Sequence, residues 1–182
     1  FCELIEASID IIRGKKVSIV PDFITGGVAD FSKYNEGLRG GRIRVRAVIE
    51  KLSKKMLAIR EIPFGTTTSS LIDSILTANE KGKIKVKKVE DNTAAKVEII
   101  IHLHPESSDD VDKTIEALYA FTDCEVSISP NSCVIVDGSP KFLSVNEILH
   151  TAVINLKASG VLVVVSNGNS GPSCGTSNGA PA

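Results

Sequence analysis

Arg42-Ile43-Arg44-Val45-Arg46 alternates strictly between a cation and a branched aliphatic residue. A strict period of two leaves one option: a β-strand with one face in a core and the other lined with guanidinium groups. Helical spacing would scatter both sets around a cylinder. Since Ala47-Val48-Ile49 follows without a breaker, the strand is expected to run over 42–49. A hairpin turn is expected at Lys51–Lys55 and a return strand over Met56–Ile62.

Other elements group around this one. Leu4, Ile5, Ile9 and Ile12 fall at helical spacing and Gly14 ends the pattern, predicting a helix over 3–13. Lys15–Val20 reads as a short extended segment closed by Pro21, and 22–41 as a loop rich in Gly, Asn and Asp. Thr66-Thr67-Thr68-Ser69 offers caps for a helix over 69–80 with a buried stripe of Leu71, Ile72, Ile75 and Leu76, and Gly82 is placed to stop it. Lys83-Ile84-Lys85-Val86-Lys87 repeats the alternating basic pattern, and Val97–Leu103 is a third strand, rich in β-branched residues. A helix is expected over 110–122, short strands over 125–129 and 133–136 joined by Pro130-Asn131, and a further helix from Ser144. Strands and helices intermix without the regular alternation of a doubly wound sheet, so the fold class is α+β.

Composition narrows the function. The chain has 182 residues, 42% hydrophobic and 24% charged, enough for a core and unlike a disordered segment. Its longest aliphatic run, Val161–Val165, is far short of the roughly 20 residues of a membrane helix. No basic start of a signal peptide is present, and the absence of an initial Met is expected of a piece of something longer. Cys2, Cys124, Cys133 and Cys174 show no C-x-x-C spacing; they are expected to be reduced, mostly buried thiols of a cytosolic protein, and a zinc site is not expected. The net charge of −1 conceals a division. Residues 1–88 carry 17 basic and 10 acidic side chains, whereas 89–182 carry 4 and 12. That polarity points to a surface built for a polyanion.

The candidate interface follows. Guanidiniums on alternate strand residues stand about 6–7 Å apart, close to the separation of successive phosphates, and their forks suit phosphate oxygens. Arg39 and the flexible Gly40-Gly41 lie just before Arg42, Arg44 and Arg46, and Lys83, Lys85 and Lys87 form a second row. The other reading is a solvated strand face whose charge deters aggregation. His102 and His104 share a strand face but lack a third metal ligand, and read as a structural or surface pair. Asp109, Asp110 and Asp112 are accounted for by helix capping and the macrodipole. Tyr119 reads as core, and Tyr34 has no activating cluster of arginines around it.

Longer motifs add a resemblance. Pro21-Asp22-Phe23-Ile24-Thr25-Gly26-Gly27, Asn35-Glu36-Gly37-Leu38-Arg39-Gly40-Gly41-Arg42-Ile43-Arg44-Val45-Arg46-Ala47 and Glu61-Ile62-Pro63-Phe64-Gly65 resemble the A subunit of bacterial type IIA topoisomerases. Further matches are Leu71-Ile72-Asp73-Ser74-Ile75, Val89-Glu90-Asp91-Asn92-Thr93, Leu118-Tyr119-Ala120-Phe121-Thr122 and Val126-Ser127-Ile128-Ser129. The likeness covers about 1–150 and is to the topoisomerase IV or gyrase A subunit, the former slightly the closer. Ile24 stands where the family usually has proline.

The resemblance implies that 1–20 end a winged-helix region and 21–150 form the tower domain, a mixed sheet with packed helices flanking the DNA gate. It implies ATP-dependent strand passage on double-stranded DNA by a homodimer of A subunits working with ATPase B subunits. The implied location is cytoplasmic and chromosome-associated, without a membrane. Cleavage by a tyrosine in an Arg-Tyr-Thr motif is also implied, and that tripeptide does not occur here. Mg²⁺ and ATP would be held by the partner subunit, with no cofactor on this chain, which would grip and bend DNA without cutting it. Val28 would be the wedge that enters between base pairs, an unstacking that costs a few kcal/mol; its plainer role is packing. The alternative function is a stand-alone nucleic-acid-binding module without enzymatic activity.

The tail differs. Residues 152–182 contain one charged side chain, Lys157, and end in a stretch rich in Gly, Ser and Asn. Ala158–Val165 followed by Gly168-Asn169-Ser170-Gly171-Pro172 is similar to a buried strand and loop of subtilisin-like serine proteases, where the asparagine would donate to an oxyanion. No triad accompanies it, and a join of unrelated sequence near residue 150 is expected.

Overall fold

A computed structural model describes residues 2–105 and 110–160. They form α1 (Cys2–Ile12), β1 (Val28–Lys33), β2 (Arg42–Arg46), β3 (Val48–Ser53), β4 (Met56–Glu61), α2 (Thr68–Glu80), β5 (Val86–Asp91), β6 (Ile99–Leu103), α3 (Val111–Phe121), β7 (Glu125–Ile128), β8 (Cys133–Val136), β9 (Ser139–Phe142) and α4 (Val145–Ala158). The class is α+β. Strand order is β1-β2-β7 in one sheet, β3-β4-β6-β5 in a second and β8-β9 in a hairpin. All of these pairs are antiparallel, so the sheets are not mixed in direction.

Two compact units divide the chain. One comprises 22–33 and 42–129 and holds the first two sheets with α2 and α3. Its core is Leu57 and Ile59 of β4, Ile99, Ile101 and Leu103 of β6, Leu71, Ile75 and Ala78 of α2, and Leu118 of α3. Leu57, Ile59, Ile99, Ile101 and Leu103 lie on the core face, while Ala58 and Ile100, at 0% and 7% exposure, are buried on the opposite one, so neither strand alternates strictly between core and solvent. Thr67 caps α2 by accepting from Ser70 N–H while Ser70 Oγ accepts from Thr67 N–H, and Asp110 caps α3 by accepting from Lys113 N–H. Gly82, with φ +67°, follows the end of α2 where the expected stop lies. Leu76 departs from the expected stripe: it is exposed, and Ala78 is buried in its place.

The expected strand over 42–49 is two strands in two sheets. Ala47, 1% exposed, is the whole connection between β2 and β3. Its N–H donates to the Cys124 carbonyl at 2.8 Å and its carbonyl accepts from the Tyr119 hydroxyl at 2.9 Å. Tyr119 is therefore half-buried at this crossing rather than simply core. Residues 28–33, expected as loop, are strand β1, and 125–128 pairs with β2 instead of with 133–136, whose partner is β9. Cys124 is buried in the core and burial pushes its thiol up to about 11, whereas Cys133 is exposed and Cys2 is disulfide-bonded, so the expectation of reduced, mostly buried thiols does not hold throughout.

The other unit comprises 1–21, 34–41 and 130 onward. In it α1 packs on α4, Asn146 Nδ2 donates to the Val17 carbonyl at 2.8 Å, and Ser144 and Glu147 form the capping box that starts α4. The helix runs from Val145 to Ala158. The protease-like stretch from Val161 lies outside the described residues. No helix among those described is long and apolar enough to cross a membrane.

Candidate nucleic-acid interface

The three-stranded sheet presents the arginine row on its middle strand. Arg42, Arg44 and Arg46 are exposed and alternate with Ile43 and Val45, at 1% and 0% exposure. Antiparallel partners in direct register share a sheet face. On β1 those partners are Val28 opposite Arg46, Asp30 opposite Arg44 and Lys33 opposite Arg42. On β7 they are Glu125 opposite Arg46 and Ser127 opposite Arg44. One face thus carries three arginines, a lysine, two carboxylates and an exposed valine.

The arginines are not equivalent. Arg46 Nε donates to Glu125 Oε2 at 2.5 Å, and its guanidinium lies 4.9 Å from the centre of the Tyr119 ring. Arg44 Nη2 donates to Asp30 Oδ2 at 2.6 Å. Asp30 Oδ1 also accepts from Ser32 N–H at 2.9 Å, and these bonds hold its carboxyl well below the usual range. Arg42 has no ion pair among the described residues. The row is free at one end and progressively held toward the other.

Val28 is 62% exposed and opens β1. The turn before it is rigidly built. Gly26 N–H donates to the Phe23 carbonyl at 3.1 Å, and Gly27 N–H donates to Glu61 Oε2 at 2.5 Å. Both glycines have positive φ; a Cβ on Gly26 would run into the Glu61 carboxylate, and one on Gly27 would lie 2.7 Å from the Arg46 carbonyl oxygen. Phe23 packs on Phe64 with ring centres 5.6 Å apart, and Ile24 projects fully into solvent at 99% exposure.

The remaining basic residues lie elsewhere. Lys83, Lys85 and Lys87 are exposed about buried Ile84 and Val86, as their alternation predicts, but they border β5 at the edge of the four-stranded sheet. The register slips at Lys87, between Val86 and Lys88, and Lys83 sits 5.4 Å from the Phe121 ring. Arg39 is exposed on the 34–41 loop of the other compact unit.

Lys33, Asp30, Glu125 and Glu61 complete the site, and the sequence did not single them out. Period two could have found Asp30 had 28–33 been read as a strand, but Lys33 reaches the same face only through an irregularity in register between Asp30 and Lys33. Asp110 and Asp112 pair with Lys113 and Lys51, consistent with capping and surface charge, and Asp109 lies outside the described residues. His102 Nε2 faces Glu90 at 3.4 Å. Among the described residues no three His, Cys, Asp or Glu side chains converge as a metal-binding group would require.

Known proteins match this chain along most of its length. The family comprising the A subunits of DNA gyrase and topoisomerase IV matches residues 1–158, ending with α4. The A subunit of DNA topoisomerase 4 from Borreliella burgdorferi is 38% identical over 149 residues, 82% of this chain and 23% of that protein. The DNA gyrase A subunit of Lawsonia intracellularis is 30% identical over 154 residues, covering 80% and 18%, and that of Streptomyces coelicolor 30% over 153, covering 79% and 17%. The chain spans about a fifth of the length of these curated relatives. With strands, turns and the arginine row all inside the matched span, the chain belongs to the DNA gyrase/topoisomerase IV A-subunit family.

Proposed function

We propose that these residues are the part of a type IIA topoisomerase A subunit that grips and bends the double-stranded DNA through which another duplex passes. The observation that carries this reading is the placement of Val28 directly opposite Arg46, on the face that also bears Arg42 and Arg44. An apolar wedge needs phosphate contacts beside it, because unstacking a base step costs a few kcal/mol that those contacts must offset. Lys33, opposite Arg42, adds a further cation to this face.

In this reading the strand-passing enzyme works with an ATPase B subunit that supplies ATP turnover and Mg²⁺, and as a dimer of A subunits on the chromosome in the cytoplasm. The nucleophile comes from outside these residues. Tyr119 is engaged by the Ala47 carbonyl, and loss of solvent pushes its phenol above its ordinary value. Tyr34 is pushed up likewise by burial, with the Glu36 charge adding to it. Neither is poised as a phenolate. Mixed with B subunit, Mg²⁺, ATP and supercoiled plasmid, the chain is expected to give no covalent adduct; an adduct lost in Tyr34→Phe would overturn this division of labour.

Binding is tested by the salt dependence of duplex affinity. Arg42→Ala should weaken binding alike across sequences and reduce the log K–log salt slope by about 0.9, one phosphate's worth. Val28→Ala should leave that slope unchanged and reduce bending, read by energy transfer between dyes at the duplex ends. An unaltered slope in Arg42→Ala would remove the phosphate assignment.

A further inference from the structure

The arginine face carries its own competitors for phosphate. Arg44 spends its Nη2 on Asp30 from β1, and Arg46 spends its Nε on Glu125 from β7. Both carboxylates come from strands flanking the row and lie directly opposite the arginine each engages. A carboxylate and a phosphate oxygen ask the same thing of a guanidinium, so the two compete for one set of donors.

We infer that Asp30 and Glu125 are affinity-limiting residues of the DNA-gripping face, and that Asp30 is the stronger of the two; the inference rests on the reading of that face as DNA-binding. Asp30 is anchored independently of Arg44, since its Oδ1 accepts from Ser32 N–H while Oδ2 holds the guanidinium. When Arg44 turns to a phosphate the carboxylate stays where it is, and its charge then opposes the incoming phosphate. Glu125 limits less, because Arg46 is also held by the Tyr119 ring and gains less freedom when the acid is neutralised. Arg42 alone meets DNA without an exchange. The face is thereby set for readily reversible contact along most of its row, with one arginine fully committed to phosphate.

The experiment is duplex binding by the full chain across a salt series, comparing Asp30→Asn, Glu125→Gln and Asp73→Asn. Asp73 is an exposed acid on α2 without an ion pair among the described residues, so its variant changes net charge by the same amount. Asparagine still accepts from Ser32 N–H, and the thermal midpoint verifies that β1 is retained. Asp30→Asn should tighten binding about five- to tenfold at 0.1 M salt and steepen the slope by about 0.9, the counterion release of one more neutralised phosphate. Glu125→Gln should tighten it less, and Asp73→Asn by under about twofold, an exposed charge that engages no arginine of the row being screened by salt. Adding Arg44→Ala to Asp30→Asn should abolish the gain, as a double-mutant cycle requires of a coupled pair. An effect no greater than that of Asp73→Asn, a gain that survives Arg44→Ala, or weaker binding in Asp30→Asn would each overturn the inference. If Arg42→Ala changes neither affinity nor slope, the DNA reading of the face itself has failed instead.

Discussion

The two sheets of the larger unit expose basic strand faces to solvent and finish them differently. On the four-stranded sheet Arg60, near the end of the interior strand β4, is clasped from both sides: Glu50 of β3 at 2.9 Å and Glu98 beside β6. Lys88 and His102 share Glu90. Arg60 and Lys88 each have a carboxylate, and these pairs across and along the strands help hold them in register. On the three-stranded sheet the same device stops partway. Arg46 and Arg44 have their acids, but Arg42 and the Lys33 opposite it have none among the described residues. Charge on a sheet face is therefore not by itself a binding signal; what sets the face of the proposed DNA contact apart is the cation that the flanking strands leave unanswered.

Breaking the comparison at its base gives the largest effect. Leu57→Ala, beneath the four-stranded sheet, should lower stability by about 2–5 kcal/mol, read from the urea midpoint. Val45→Ala, beneath the arginines, should cost less, about 1.5 kcal/mol, because fewer buried methyl groups are lost. Gly26→Ala sits next. Its φ of +78° and the Glu61 carboxylate in its way should cost about 1–3 kcal/mol, and the displaced turn should lower DNA bending more than duplex affinity.

A sharper contrast comes from Arg60→Met and Arg42→Met. The first should reduce the thermal midpoint and leave the salt slope of DNA binding unaltered; the second should do the opposite, moving stability by less than about 0.5 kcal/mol. Acid titration gives the smallest effect. The Asp30 carboxyl is held below its ordinary value of 3.8 chiefly by the Ser32 N–H, with Arg44 next, so the folded chain binds this proton more weakly than the unfolded one. Its contribution is complete above about pH 4 and fades as pH falls toward the depressed value. The midpoint of Asp30→Asn should accordingly decline less steeply than the parent's between pH 5 and pH 2.

Legibility in the sequence follows periodicity. Arg42–Arg46 alternates without exception and is legible down to which residues are buried. The crossing at Ala47 is invisible, because Arg46-Ala47-Val48-Ile49 contains neither glycine nor proline to announce that the chain changes sheets. Val28–Lys33 hides as a strand since it follows two glycines and its burial does not alternate, while Ser139–Phe142 is exposed throughout and contains Pro140. Site residues divide in the same way. Arginines declare themselves, but their acids depend on pairings 14 and 79 residues apart, set by register rather than by local pattern.

Ala47 has a mechanical consequence. A one-residue link between sheets would ordinarily behave as a hinge, yet here its amide is tied to the residue that leads into β7, its carbonyl to α3, and its methyl is sealed in the core. A pull on the arginine strand therefore meets no slack at the link and passes directly into the strand beside β4, where Leu57 and Ile59 resist it. In the proposed role of holding a stiff polymer bent, this arrangement would serve the chain, because the strand cannot yield at the joint without drawing on the cohesion of the whole hydrophobic interior.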